Sequence, residues 1–207
     1  MRALPCTILA AAVLSAGAAV AAADDAMGDM APYPDLAHAS RAEVAQARRL
    51  WHGTLVSARR RFPSYAAARA RGYVRDHRRW TRPLVFHLRK RAFDTDGALL
   101  DARRPEALVY WWPAHGRPVL LGFMYRVPAG RPPAFGGAIL AYHGHMAGGH
   151  MGATQMTHVW LTRGLRTAYA RCLPVAALER AIPAFQYATP GHSPSGPEAE
   201  PCKEMTS

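Results

Sequence analysis

Acidic residues, cysteine and long apolar runs are all scarce in this 207-residue chain. Asp and Glu number 14 against 26 Lys and Arg, which leaves a formal charge of +12. Three Cys exclude a disulfide-dense scaffold and a four-thiolate metal site. The 17 Gly and 17 Pro follow no three-residue period, so a collagen-like chain is excluded, and an aromatic share of 9% argues against a wholly disordered one. The length suits one domain with a processed terminus and excludes two sizeable enzyme domains.

Common catalytic signatures are missing too. The chain has no His-Glu-x-x-His zinc-protease motif and no Gly-x-Ser-x-Gly nucleophile elbow. The glycines at 148, 149 and 152 lack the trailing Lys-Ser/Thr of a phosphate loop. Asp94-Thr95-Asp96-Gly97 echoes a calcium loop, but no Glu stands at its twelfth position, so a plain turn is expected there.

What is present begins with the first 23 residues. Arg2 precedes an apolar, Ala-rich run that ends in Ala21-Ala22-Ala23, before Asp24-Asp25. This is the pattern of a secretory signal peptide over 1–23, and it predicts a periplasmic or secreted protein. Beyond it no stretch approaches the ~18 apolar residues of a membrane span, so the mature chain is expected to have no transmembrane segment. In an oxidising compartment Cys172 and Cys202 either pair with each other or stay as two free thiols.

Residues 24–39 read as a mobile leader containing Met27 and Met30, 40–187 as a single domain, and 188–207 as a disordered tail. Ser40-Arg41-Ala42-Glu43 has the form of a capping box. Val44, Ala47, Trp51, Leu55, Ala58 and Phe62 then recur at helical spacing, which predicts an amphipathic helix over about 40–61. A shorter helix over 64–71 is expected to stop at Gly72. Strand-like runs follow at 84–88, 108–112, 119–125, 138–145 and 155–161, then a short helix near 175–182. Helices first and strands after predict an α+β fold, with N-terminal helices packed on a small antiparallel sheet.

One segment is dense in ligand chemistry. Residues 143–158 hold seven of the chain's 10 His and 8 Met. Imidazole nitrogen and thioether sulfur are neutral ligands for soft and borderline metals; thioether favours Cu(I), while imidazole also suits Cu(II), Zn and Ni. In strands, side chains two apart share a face, so His143 goes with His145 and Met156 with His158. A hairpin with His145 opposite Met156 also sets His143 opposite His158, with Cβ atoms roughly 4.5–5.5 Å apart. Leu140, Tyr142, Val159 and Leu161 then fall on the other face, against the helices. His143, His145, His158 and Met156 are therefore the candidate ligands, with His150, Met146 and Met151 as alternates on a glycine-rich loop. Copper is the favoured ion, with zinc or nickel as alternatives. The bland reading is a half-exposed histidine face with methionines as packing.

The cluster contains no carboxylate. A secreted metal-dependent enzyme would need one brought in by the fold, for example Glu106, which otherwise reads as a buried partner for arginine. Arginine supplies nearly all of the positive charge, with clusters at 59–61, 75–79, 89–91 and 103–104. With Tyr73 and Trp80 interleaved they resemble a nucleic-acid surface, but export argues against nucleic acid; an anionic envelope surface is the partner such charge suggests, and an envelope protein binding anionic polymers is the third reading.

Several short motifs carry a resemblance: Leu100 through Tyr110 with Arg104-Pro105-Glu106 inside it, Leu121-Gly122 to Tyr125 with Pro128, Phe135-Gly136-Gly137, the His143-Gly144-His145 strand and His158-Val159-Trp160-Leu161. In this order they resemble a group of uncharacterised exported bacterial proteins with an RPExLxY, HxH, HVWL pattern, over roughly residues 65–165. The resemblance implies that the sheet region is one domain with His143, His145 and His158 as its polar focus, and implies no activity.

Overall fold

The computed structural model describes residues 33–75, 81–128, 139–140, 142–147, 150–187, 195 and 201–202. The described elements fold in the expected α+β order. Helix α1 spans Arg41–Arg61; the Ser40 hydroxyl accepts from the Glu43 N–H at 3.2 Å and the Glu43 carboxylate accepts from the Ser40 N–H at 2.6 Å, closing the capping box. The helix is turned slightly from the predicted stripe. Ala47, Leu50, Thr54, Ser57 and Ala58 are buried, while Val44, Trp51 and Leu55 are half-buried. Polar groups beneath the helix explain this: Tyr125 Oη pairs with Thr54 Oγ1 at 2.9 Å and Tyr169 Oη donates to Ala47 O at 2.8 Å. Helix α2 (Tyr65–Ala70) follows, capped by the Ser64 hydroxyl, and Gly72 takes the left-handed conformation at φ 83°.

Strands β1 (Val74–Arg75), β2 (Leu84–Arg89), β3 (Ala107–Trp112), β4 (Val119–Pro128), β5 (His143–Ala147) and β6 (His150–Trp160) form one sheet in the order β1-β2-β3-β4-β6-β5, every pair antiparallel. The short helices α3 (Leu165–Ala168) and α4 (Val175–Ala181) come last.

Strand alternation gives the sheet two apolar faces, and both are covered. Leu84, Phe86, Leu88, Leu108, Tyr110, Phe123, Tyr125 and Val159 pack with Ala47, Leu50, Ala58 and Phe62 of the N-terminal helical region. Leu140, Tyr142 and Leu161 lie in this same core, as their pattern predicts. Val85, Val109, Trp111, Leu121, Met124 and Trp160 pack instead with Leu173, Leu178 and Phe185 of the C-terminal segment. Trp160 Nε1 donates to Ala170 O at 2.8 Å, and the rings of Trp111 and Phe185 meet edge to face at 5.4 Å.

Some residues of both terminal segments are described. The leader is placed from Tyr33 onward: Tyr33 packs on the second core, with the Arg166 guanidinium 4.8 Å from its ring centre. In the C-terminal segment the Ser195 backbone exchanges hydrogen bonds with Val85 and Pro83, both at 2.9 Å. Cys202 is bridged to Cys172 and donates its N–H to Leu173 O at 3.0 Å. Residues 1–32, including Met27 and Met30, lie outside the described residues. Among the described residues no helix is long and apolar enough to cross a membrane.

Candidate functional site

The chemistry-bearing residues gather on the second face of the sheet, in two neighbouring cross-strand rows. One row is His87–Val109–Gly122–Trp160; the next is Arg89–Ala107–Met124–His158, each pair being Cα partners on adjacent strands. Arg126 and Met156 begin a third. His158 is 3% exposed and His87 8%, so both imidazoles are buried among apolar neighbours.

Strands β2 and β6 are separated by β3 and β4, so His87 and His158 arise about 14 Å apart at ordinary strand spacing. Their ring centres are nevertheless 6.1 Å apart and the rings are parallel within 21°. The positions between them include two of the smallest residues, Ala107 and Gly122, over which two inward-leaning rings can meet. Gly122 is needed there: a Cβ on it would come within 2.9 Å of Val159 O and 3.0 Å of Trp160 Cε3. Trp160 backs the pair, its ring 5.0 Å from that of His158 and tilted 15°.

Thioethers border the imidazoles. Met124 is the direct strand partner of His158 and is 2% exposed; Met156, two residues along β6, is half-buried against the second core. A charged group lies along the same face. The Asp94 carboxylate accepts through Oδ2 from Arg89 Nη2 at 2.7 Å and from Arg126 Nη1 at 2.9 Å. Two guanidiniums thus hold this carboxylate, and Asp94 Oδ1 is buried without a hydrogen-bond partner. Among the residues whose side chains are described, no three His, Cys, Asp or Glu side chains form a metal-sized group; the face offers two imidazoles with thioethers beside them.

Glu106 is 2% exposed, with Oε2 lacking a hydrogen-bond partner. Burial pushes its carboxyl up to about 8, opposed by the backbone N–H groups of Glu106 and Arg126. Its charge is felt by Tyr73 and Tyr125, both members of the helix-side core. Alternation along β3 likewise sets it opposite to Ala107, so Glu106 is not the carboxylate that joins His158.

The predicted β5–β6 hairpin forms, but its register is two residues away from the expected one. His143, not His145, is the Cα partner of Met156. Among the described residues His158 lies beyond the end of β5 and pairs with Met124 on β4. His145 falls at an irregularity between Gly144 and Met146. The expected loop is also shorter, because Met146 pairs with Met151 and Ala147 with His150. In sequence, two residues lie between the ends of β5 and β6. His150, Met146 and Met151 are therefore strand positions. The side chains of His143, His145, Met146, His150 and Met151 lie outside the described residues.

His87 is the residue the sequence analysis missed. It sits in an apolar run, Leu84-Val85-Phe86-His87-Leu88, whose alternation sets it apart from Phe86 and Leu88 but gives no sign of a partner three strands away. Compared with known proteins, the chain matches no family model, no curated protein and no solved structure.

Proposed function

We propose that this protein is an exported transition-metal-binding protein, with copper as its favoured ion, serving sequestration, delivery or sensing. The observation that supports this reading is the buried pair His87 and His158 with their ring centres 6.1 Å apart beside methionine. An imidazole nitrogen binds a metal at about 2 Å, so two rings that share one ion have centres about 5–6 Å apart, the longer value when the two nitrogens bind nearly in line. In this reading His158 and Met156 of β6 and His87 of β2 supply ligands, and His143 adds a fourth from its register position opposite Met156, where Cβ atoms stand roughly 4.5–5.5 Å apart. His145, His150, Met146 and Met151 extend the donor supply along the hairpin.

The donors are neutral, and the nearby carboxylate of Asp94 is engaged by Arg89 and Arg126. Thioether ligands and a positively charged border both favour a soft monovalent ion over a hard divalent one. The test is a competition titration of the purified protein with Cu(I) and Zn(II) against chelators of known affinity. One tightly held Cu(I) per chain, lost in His158→Asn, supports the reading; Cu(I) binding unchanged in that variant removes it.

A further inference from the structure

A second cluster lies on the helix-side face, at the end of the sheet away from Glu106. Tyr65 opens α2 and sets its ring 5.6 Å from Tyr110, 5.7 Å from Trp112 and 6.3 Å from Phe86. Phe86 and Trp112 are 5.7 Å apart, and Phe86 stacks on Tyr110 at 5.9 Å. Two cations join these rings. The Arg75 guanidinium lies 5.3 Å from the centre of Phe86 and 5.8 Å from that of Trp112, and Arg82 covers Trp112 at 3.7 Å.

Three polar atoms here are buried without hydrogen-bond partners: Tyr110 Oη, Trp112 Nε1 and Arg75 Nη2. Tyr110 itself is 1% exposed. Tyr110 Oη can donate or accept, while Trp112 Nε1 and Arg75 Nη2 can only donate, and among the described residues no acceptor pairs with any of the three. A buried donor left unpaired is costly, and native proteins satisfy nearly all of them. Tyr65, Trp112 and Arg75 are only half-buried and Arg82 is exposed, so the outer edge of the cluster faces solvent.

We infer that this corner, formed by Tyr65, Phe86, Tyr110 and Trp112 with Arg75 and Arg82, is a binding site for a small planar aromatic carboxylate. The carboxylate supplies the missing acceptors and meets the positive charge of Arg75 and Arg82; the ring packs at the half-buried Trp112 and Tyr65. The site is independent of the His/Met face, since Phe86 and His87 alternate to opposite sides of β2.

Calorimetric titration of the full chain with benzoate, acetate and inorganic phosphate tests this. Saturable one-to-one binding of benzoate is expected, at least about tenfold tighter than acetate or phosphate, the margin that a buried ring adds to a charge-assisted contact. Tyr110→Phe, which removes only the hydroxyl, weakens benzoate binding severalfold while leaving the melting temperature unchanged or higher, because an unpaired buried group is lost. Arg75→Gln weakens it further, and His158→Asn has no effect. Absence of saturable benzoate binding, or equal binding of all three anions, overturns the inference.

Discussion

The imidazoles of His87 and His158 lie parallel in the interior, 6.1 Å between ring centres, although two whole strands stand between the strands that carry them. Sheet positions this far apart meet only where intervening side chains are small, and here Ala107 and Gly122 fill that role. Gly122→Ala is therefore expected to destabilise the protein by about 1–3 kcal/mol, since the new methyl meets the Val159 carbonyl and the Trp160 backbone, neither of which can swing away. Because Trp160 stacks on His158, the same substitution is expected to weaken metal binding. Thermal unfolding and metal titration of the variant check both effects.

Glu106 makes stability depend on pH. Its carboxyl is raised from 4.5 to about 8 by burial, so the folded chain holds it neutral while the unfolded chain ionises it. The contribution is complete below about 4.5 and is lost progressively as pH rises to about 8, where the folded state also ionises. Glu106→Gln keeps the neutral shape and removes the titration. The variant is expected to gain on the order of a few kcal/mol over wild type at pH 8 and little at pH 4, read from denaturant melts across that range.

The bridge between Cys172 and Cys202 closes a loop of sequence separation 30 and ties the chain end to Leu173 beneath the sheet. A loop of that size confers about 3 kcal/mol by restricting the unfolded chain. Cys202→Ser is expected to cost about that much, and reductant is expected to lower the wild-type melting temperature to that of the variant. A melting temperature indifferent to reductant would contradict it.

Much of this architecture was legible from local pattern. The capping box at Ser40 and Glu43 marked the start of α1, and the apolar runs marked β2, β3 and β4, because those signals are satisfied within a few residues. The β5–β6 register was not legible. A slip of two residues leaves every residue on its original face, so alternation fits His145 opposite Met156 as well as it fits His143. The irregularity at Gly144–Met146 and the pairing of Met146 with Met151 and of Ala147 with His150 select between them. His87 was hidden for another reason: its significance depends on strand order, which no local pattern encodes. The corner at Tyr110 and Arg75 was missed likewise, its members coming from α2, β1, β2 and β3.

The measurement that bears most directly on the account is Cu(I) competition titration of wild type beside His87→Gln and His158→Asn. The account predicts one tightly held Cu(I) per chain, with affinity falling about tenfold or more in each variant, the loss expected when one ligand of a small site is removed. Tight Cu(I) binding that both variants retain would contradict it, as would a wild-type chain that holds no Cu(I).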